Sequence, residues 1–307
     1  MEIISGKADF ELEGRYAVTL GKFDGIHRGH RKLIDRVLSR RASGLKSAVF
    51  TFDISPLSFF TGCDAGELTS REDKRRIFDH LGIDVLIEYP LTAESAAMAP
   101  EDFITDVLVK RMHMAYIAVG SDISFGKDAM GRAHLLERMS PELDYEAEIV
   151  DKLLIDGIEV SSSRIRETVA RGDMEYAAKL IGVPYAISGR ISHGRELGRT
   201  IGFPTVNLVP ERNKLMPPYG VYYSEISVLN GHFRGITNVG IRPTVSHDHK
   251  VSVETHIIDF DRDVYDMPMT VKLLHFARSE IRFDGIDELK NQITLDLKDG
   301  INWHRNN

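Results

Sequence analysis

The strongest constraint on the fold is a change of hydrophobic grammar part-way along this 307-residue chain. In the first half, short apolar runs alternate with longer amphipathic ones. Tyr16 to Leu20 reads YAVTL, a β-rich run ending at Gly21. From His30 to Arg41, the residues Leu33, Ile34, Val37 and Leu38 recur at helical spacing opposite Arg and Lys, and Gly44 closes the run. The alternation continues with a strand over Ser47 to Phe52, a helix over Glu72 to Leu81 and a strand over Val85 to Tyr89. Pro100 then opens a helix with Phe103, Val107 and Leu108 as its buried stripe, and Tyr116 to Gly120 forms a further strand. This order predicts an α/β domain, a mostly parallel sheet covered by helices that holds ligands at the carboxyl ends of its strands. Two more helical patterns, Ser163 to Arg171 and Asp173 to Ile181 with Asp173 as N-cap, lead to a break at Gly182-Val183-Pro184.

Past that break the runs are short and β-rich: AISGRI, GVYYSEISVL, ITNVG, VSVETHIIDF and MTVKLLHF. Gly, Pro, Asn and Asp separate them, and no helical pattern appears until Ile286, Leu289, Ile293 and Leu297. Such a series predicts a small antiparallel barrel or sandwich closed by one C-terminal helix. We therefore expect two domains, 1–183 and 184–307, as the length suggests at about 150 residues each.

Composition narrows the class. A hydrophobic share of 42% and a charged share of 28% suit a soluble globular chain and exclude disorder. Lys plus Arg (39) against Asp plus Glu (46) leaves a net charge of −7. On average that surface repels nucleic acid and anionic membrane, so any anion site is local. A single cysteine, Cys63, rules out an intramolecular disulfide and any CxxC site. No apolar run approaches the ~20 residues of a membrane span, and Met1 to Gly6 has no basic or apolar leader region. The expectation is a cytoplasmic protein, a monomer or weak homo-oligomer, without nucleic-acid or membrane partners.

Chemistry concentrates first where strand gives way to helix, in Leu20-Gly21-Lys22-Phe23-Asp24-Gly25-Ile26-His27-Arg28-Gly29-His30. A helix N-terminus offers free N–H groups and partial positive charge to a phosphate, and Gly21, Gly25 and Gly29 permit close approach. His27 and His30, three apart, can face one anion and stabilise charge as a nucleotide α-phosphate is attacked. An ordinary turn with two solvated histidines, or a metal pair, would show the same spacing. Neither GxxxxGK[ST] nor GxGxxG occurs. A second candidate is Val160-Ser161-Ser162-Ser163-Arg164-Ile165-Arg166, where hydroxyls and Arg166 at a helix start suit β- and γ-phosphates. The alternative is an N-cap beside a solvated arginine.

GKFDGIHRGH and VSSSRIR resemble the two signature motifs of HIGH-type nucleotidyltransferases. More narrowly, the first half resembles the N-terminal domain of the bacterial bifunctional riboflavin kinase/FMN adenylyltransferase (FAD synthetase) family. The likeness extends through LTSREDK, PEDFITDVLVKR and Gly120-Ser121-Asp122-Ile123-Ser124-Phe125-Gly126. It implies a Rossmann-like sheet with helices on both faces and gives His27 and His30 the transferring phosphate of ATP. Ser162, Ser163 and Arg166 would hold the ATP phosphates, Gly21, Phe23, Asp24 and Gly25 would shape the nucleotide pocket, and Asp122 would be a site residue. Three positions depart from the family pattern: Ser55 for a histidine, Ile123 for an aromatic residue and Ala129 for an arginine.

In the second half, His193-Gly194-Arg195-Glu196-Leu197-Gly198-Arg199-Thr200-Ile201-Gly202-Phe203-Pro204-Thr205-Val206-Asn207 combines spaced glycines with Pro-Thr-x-Asn. Thr205 and Asn207 are hard oxygen ligands two apart on an extended segment, as Mg²⁺ shared with nucleotide phosphates requires. Local turn hydrogen bonds are the plainer reading. In VSVETHIID, alternation puts Ser252, Glu254, His256 and Ile258 on one face, so Glu254 is a carboxylate on a rigid strand, suited to general-base work or simply solvated.

GRELGRTIGFPTVNL, PPYGVYY, ITNVGIRPTV, VETHIIDFDRDVYD and ARSEIRFDGIDELKNQI resemble, in order, the riboflavin kinase domain of the same family. The resemblance implies a Greek-key barrel with a C-terminal helix. Thr205 and Asn207 would bind Mg–ATP, and Gly194, Gly198 and Arg199 would form the nucleotide loop. Glu254 would deprotonate the ribityl 5′-hydroxyl of riboflavin, and Arg278 would lie in a loop closing over the flavin. The implied activity is phosphorylation of riboflavin to FMN, followed by adenylylation of FMN to FAD with release of pyrophosphate. Rival readings are a kinase with a degenerate adenylyltransferase half, as Ser55 and Ala129 suggest, and a flavin-binding protein without turnover. A cytidylyl- or pantetheine-type adenylyltransferase fused to an unrelated barrel is a third, against which the Pro-Thr-x-Asn domain argues.

Overall fold

A computed structural model describes residues 1–62, 66–192, 202–211, 213–242 and 250–307. Cys63 and the loop residues Gly194, Gly198 and Arg199 lie outside the described residues. The chain forms two compact units, Met1–Ala65 with Arg71–Ser162, and Gly66–Ser70 with Ser163–Asn307.

The strands of the first unit are β1 (Glu2–Ser5), β2 (Tyr16–Leu20), β3 (Lys46–Phe52), β4 (Val85–Tyr89), β5 (Met114–Gly120), β6 (Ser124–Phe125), β7 (Gly131–Arg132), β8 (Glu146–Val150), β9 (Leu154–Ile155) and β10 (Ile158–Glu159). Six of them form one sheet in the order β1-β4-β3-β2-β5-β8, and every pairing is parallel. Both faces are covered, and strand alternation shows how. Tyr16, Val18 and Leu20 of β2 join Phe103, Val107 and Leu136 in one core, while Ala17 packs with Leu33 and Val37 on the other side. Likewise Ala48 and Phe50 of β3 take the first face, and Val49 meets Ile34 and Phe78 on the second. Strands buried on both sides read as continuous apolar runs, which is why YAVTL and SAVFTF were legible.

Helix Arg28–Ser39 ends in a 3₁₀ turn at Gly44, whose φ of 79° is the left-handed cap that the sequence pattern suggests. Pro100 opens the next predicted helix, whose body Phe103–Arg111 is π-type rather than α. β1, β8 and helix Ala133–Leu143, with Pro141 inside it, add to the elements expected from the sequence.

The second unit holds helix Ser162–Ala170 from Ser163 onward and helix Met174–Ile181, the latter capped by Asp173, whose Oδ1 accepts the Tyr176 N–H at 3.0 Å. Its strands are β11 (Tyr185–Ser192), β12 (Val206–Pro210), β13 (Gly220–Val228), β14 (Gly231–Arg242), β15 (Lys250–Ile257) and β16 (Pro268–Ser279). They close an antiparallel barrel in the order β11-β12-β15-β14-β13-β16. The meander β13-β14-β15 returns beside β12, which is a Greek key. The barrel interior includes a chain of buried hydroxyls: Ser224 bonds Thr237 at 2.7 Å, and Thr237 bonds Thr255 at 2.9 Å. Each such satisfied bond contributes about 1 kcal/mol. Helix Ile286–Asn306 closes the unit, and Gly300 lets it lie against Tyr223 and Ile236, where a Cβ would collide. Both expected architectures are therefore present.

Candidate active sites

In the parallel sheet the strand order reverses between β2 and β5, a topological switch point where ligands bind outside the carboxyl ends. The glycine–histidine segment leaves β2 at this point, and Asp122 follows β5. His27 is the N-cap of helix Arg28–Ser39, and its Nδ1 accepts the His30 backbone N–H at 3.3 Å. A neutral ring that accepts at Nδ1 carries its proton on Nε2, so this bond fixes the tautomer. The two imidazoles stack with centroids 3.7 Å apart and planes 18° apart. Gly29 makes room for that fold, since a Cβ there would stand 3.1 Å from Cε1 and Nδ1 of His27.

The loop stores backbone strain. Phe23 and Ile26 have φ of 49° and 35°, conformations that cost about 1–3 kcal/mol for a residue with a Cβ. Burial offsets the cost, for Phe23 is fully enclosed, edge-on to Phe78 at 5.5 Å and 5.1 Å from the His30 ring. Phe23 thus supports His30 from behind. The Ser162 hydroxyl donates to the Asp24 carbonyl at 2.8 Å, tying the second motif to the glycine loop.

Burial makes both rings neutral donors rather than cations. It pushes His27 down to about 4, against the opposing pull of Asp24 and Asp122. His30 is held well below its ordinary value by burial first, then by the charges of His27 and Lys74. His30 Nδ1 is buried without a hydrogen-bond partner, which a ligand would supply. Asp122 pairs with Lys152 at 3.4 Å.

The other residues expected to hold phosphate lie at and beyond a helix start. Ser162 and Ser163 open helix Ser162–Ala170, one residue ahead of the start expected from the sequence. In the second unit, Arg166 Nη1 donates to the Gly66 carbonyl at 2.7 Å. Of the departures from the family pattern, Ser55 is the N-cap of helix Pro56–Thr61 but makes no side-chain cap bond. Ile123 packs on the sheet core, and Ala129 adopts a φ of 53°.

In the barrel, Val206 and Leu208 lie in register with Thr255 and Val253, both fully buried. Glu254 on β15 is the register partner of both Asn207 on β12 and Asn238 on β14, so the three share the opposite face. The Ser252 hydroxyl donates to Glu254 Oε1 at 3.1 Å and steadies the carboxylate. Thr205 stands just ahead of β12, half-buried. Arg278 sits on β16, not in a loop, and makes a two-pronged pair with Asp296 of the C-terminal helix at 2.8 and 2.5 Å.

Sequence reasoning missed several neighbours. Asn238 was inside the quoted ITNVG but has no chemistry until register places it beside Glu254. The Glu280 carboxylate lies over Gly240, two residues along the same strand, where a Cβ would collide with it. Glu88, on β4 and only 3% exposed, takes Arg71 and Arg75, with nitrogen–oxygen distances of 2.6–2.9 Å. Burial alone would raise its carboxyl, but hydrogen bonds from Arg75, Arg71 and Ser5 bring it to about 2. None of these long-range partnerships leaves a local signal.

A histidine-lined switch-point site on a parallel sheet, joined to a barrel bearing a carboxamide–carboxylate row, defines a two-site transferase that works on nucleotides. Comparison with known proteins agrees. The FAD synthetase family model matches residues 10–164, and the riboflavin kinase model matches residues 181–304. The bifunctional riboflavin kinase/FMN adenylyltransferase of Escherichia coli K12 is 37% identical over 91% of this chain and 90% of its own length. Those of Haemophilus influenzae and Bacillus subtilis are 34% and 33% identical, covering 97% and 96% of this chain and 97% and 95% of theirs. A Streptococcus pneumoniae structure described as a macrolide-efflux protein superposes with a TM-score of 0.88 at 30% identity, covering 98% of each chain. Among the described residues here, no helix is long and apolar enough to cross a membrane. The chain belongs to the bifunctional riboflavin kinase/FMN adenylyltransferase family.

Proposed function

We propose that the two sites catalyse successive steps of FAD biosynthesis, riboflavin phosphorylation on the barrel and FMN adenylylation at the switch point. The reading divides the labour between residues 1–183 and 184–307; the family matches span residues 10–164 and 181–304.

On the barrel, Glu254 takes the proton of the ribityl 5′-hydroxyl as its oxygen attacks the γ-phosphorus of ATP, and ADP leaves. Asn207 and Thr205 would hold Mg²⁺ shared with the ATP phosphates. Their hydroxyl and carboxamide oxygens are donors of the right hardness, two residues apart at the start of β12. Bound there, the ion would neutralise phosphate charge. Gly194, Gly198 and Arg199 are assigned to the nucleotide loop by the resemblance alone. Arg278, anchored by Asp296, presents its barrel edge to the flavin.

At the switch point, an oxygen of the FMN phosphate bonds to the α-phosphorus of a second ATP while the bond to the bridging oxygen breaks and pyrophosphate leaves. No covalent enzyme intermediate is needed. His27 and His30 donate neutral N–H bonds to the transferring phosphate, Gly21, Asp24, Gly25 and Asp122 shape the pocket, and Ser162, Ser163 and Arg166 hold the ATP phosphates. Both steps draw on ATP, and the reading assigns the work to the cytoplasm, each monomer or weakly associated copy carrying both sites.

The observation that carries this reading is the stacked, burial-neutralised His27–His30 pair at the switch point. The experiment is chromatography of the products formed from riboflavin and Mg–ATP. FAD is expected. FMN alone would mark a degenerate first half, and neither product would mark a flavin binder without turnover.

A further inference from the structure

Antiparallel pairing aligns five residues across the barrel in one row. Asn207 on β12 pairs with Glu254 on β15, and Glu254 with Asn238 on β14. Asn238 pairs in turn with Val221 on β13, and Val221 with Arg278 on β16. Directly paired residues share a face, and neighbouring strands lie about 4.8 Å apart. The row thus runs from the proposed Mg–ATP ligand, through the proposed base, to the arginine assigned to the flavin. Its last stretch, Glu254 to Arg278, covers about 14 Å of barrel surface. Riboflavin has its parts in the same order: the 5′-hydroxyl to be phosphorylated, a chain of secondary hydroxyls, then the ring system. With the 5′-oxygen at Glu254 and the rings towards Arg278, the ribityl chain passes over Asn238.

Asn238 faces out of the barrel. Thr237 turns inwards to Ser224 and Thr255, so Ile236, Asn238 and Gly240 turn the other way. The C-terminal helix covers Ile236, against which Gly300 lies. Asn238 is the next outward position and is half-buried. A Cβ on Gly240 would stand 3.3 Å from Asn238 Nδ2, so the carboxamide lies along the strand instead of standing clear of it. Val221, next in the row, is buried and apolar. Polar recognition between base and arginine therefore falls to Asn238. Its carboxamide has both donors and an acceptor, the match for a hydroxyl that gives and takes a hydrogen bond.

We propose that Asn238 is a specificity residue of the kinase, its carboxamide hydrogen-bonding secondary hydroxyls of the ribityl chain and so selecting a flavin that carries a polyol. This rests on the riboflavin kinase reading of the barrel and deepens it.

The test uses the full chain with Asn238→Leu and Asn238→Ala on two substrates. One is riboflavin; the other is a flavin whose ribityl chain is replaced by hydroxypentyl, which keeps the terminal hydroxyl and lacks the secondary ones. kcat and KM for phosphate transfer from Mg–ATP are read for both. Asn238→Leu is expected to lower kcat/KM for riboflavin about 30-fold, mainly through KM, the order of loss when a hydrogen-bonding site loses its polar group. On the hydroxypentyl flavin it is expected to stay within twofold of the wild type. Asn238→Ala is expected to show the same split, and it decides the matter should the leucine variant not fold. A riboflavin kcat/KM within threefold of the wild type overturns the proposal. So does an equal loss on both flavins, which would make Asn238 a support for Glu254 or for the barrel. If the wild type itself makes no FMN, the kinase reading has failed; if it does and the Asn238 variants match it, only this proposal has.

Discussion

His30 gives its backbone N–H to the ring of His27, 3.3 Å away, and lays its own ring 3.7 Å above that same ring. The helix cap and the proposed phosphate donors are therefore one object, and Gly29 is what lets it form. Gly29→Ala brings a methyl to 3.1 Å from the His27 ring, which has to swing aside. We expect adenylylation to fall between tenfold and 100-fold, with the kinase rate unmoved, as parallel assays from FMN and from riboflavin will register.

Titration follows from the same burial. The unfolded His27 ring takes a proton near pH 6.5, whereas the folded ring refuses it until about pH 4. Between those values the unfolded state binds more protons, so stability is complete above pH 6.5 and is lost as pH falls towards 4. His27 accounts for about 3 kcal/mol of that loss, at 1.36 kcal/mol per pH unit. Urea melts of wild type and His27→Phe across this window should diverge by that amount at the acid end. Adenylylation should be flat from pH 6 to 8, where both rings stay neutral.

Glu88 works with the opposite sign of charge and the same direction in pH. Its carboxyl is held at about 2, so its contribution is present above the ordinary carboxylate range and fades as pH drops through that range towards 2. Glu88→Gln strands two half-exposed guanidinium groups around a buried amide. A loss of about 3 kcal/mol in urea at pH 7 is expected. Unchanged stability would mean that the cluster is ornamental.

Asp296 anchors Arg278 from the C-terminal helix. Asp296→Asn removes one charge of a largely buried pair and should cost about 2 kcal/mol. Because it frees Arg278, it should also raise the KM of the kinase for riboflavin about tenfold and leave adenylylation of FMN alone.

Much of this was legible beforehand because it is written locally. Strand–helix alternation, Pro100 at a helix start, Asp173 as a cap and the left-handed Gly44 each depend on residues a few positions apart. His27 and His30 were legible for the same reason, three residues apart at a strand–helix turn. What stayed hidden needs distant strands to meet. Asn238 reaches Glu254 only through the β14–β15 register, and Arg278 reads as a loop residue until β16 extends to Ser279 and Asp296 arrives from the last helix. The neutrality of the histidines was equally out of reach, since it depends on burial beneath Phe23 and Phe78 and not on spacing.

The account stands or falls on two separate sites in one chain, and Glu254→Gln addresses that most directly. Given riboflavin and Mg–ATP, the variant should form neither FMN nor FAD; given FMN and Mg–ATP, it should form FAD at the wild-type rate. FMN produced from riboflavin at an undiminished rate, or FAD lost from both substrates together, would contradict it.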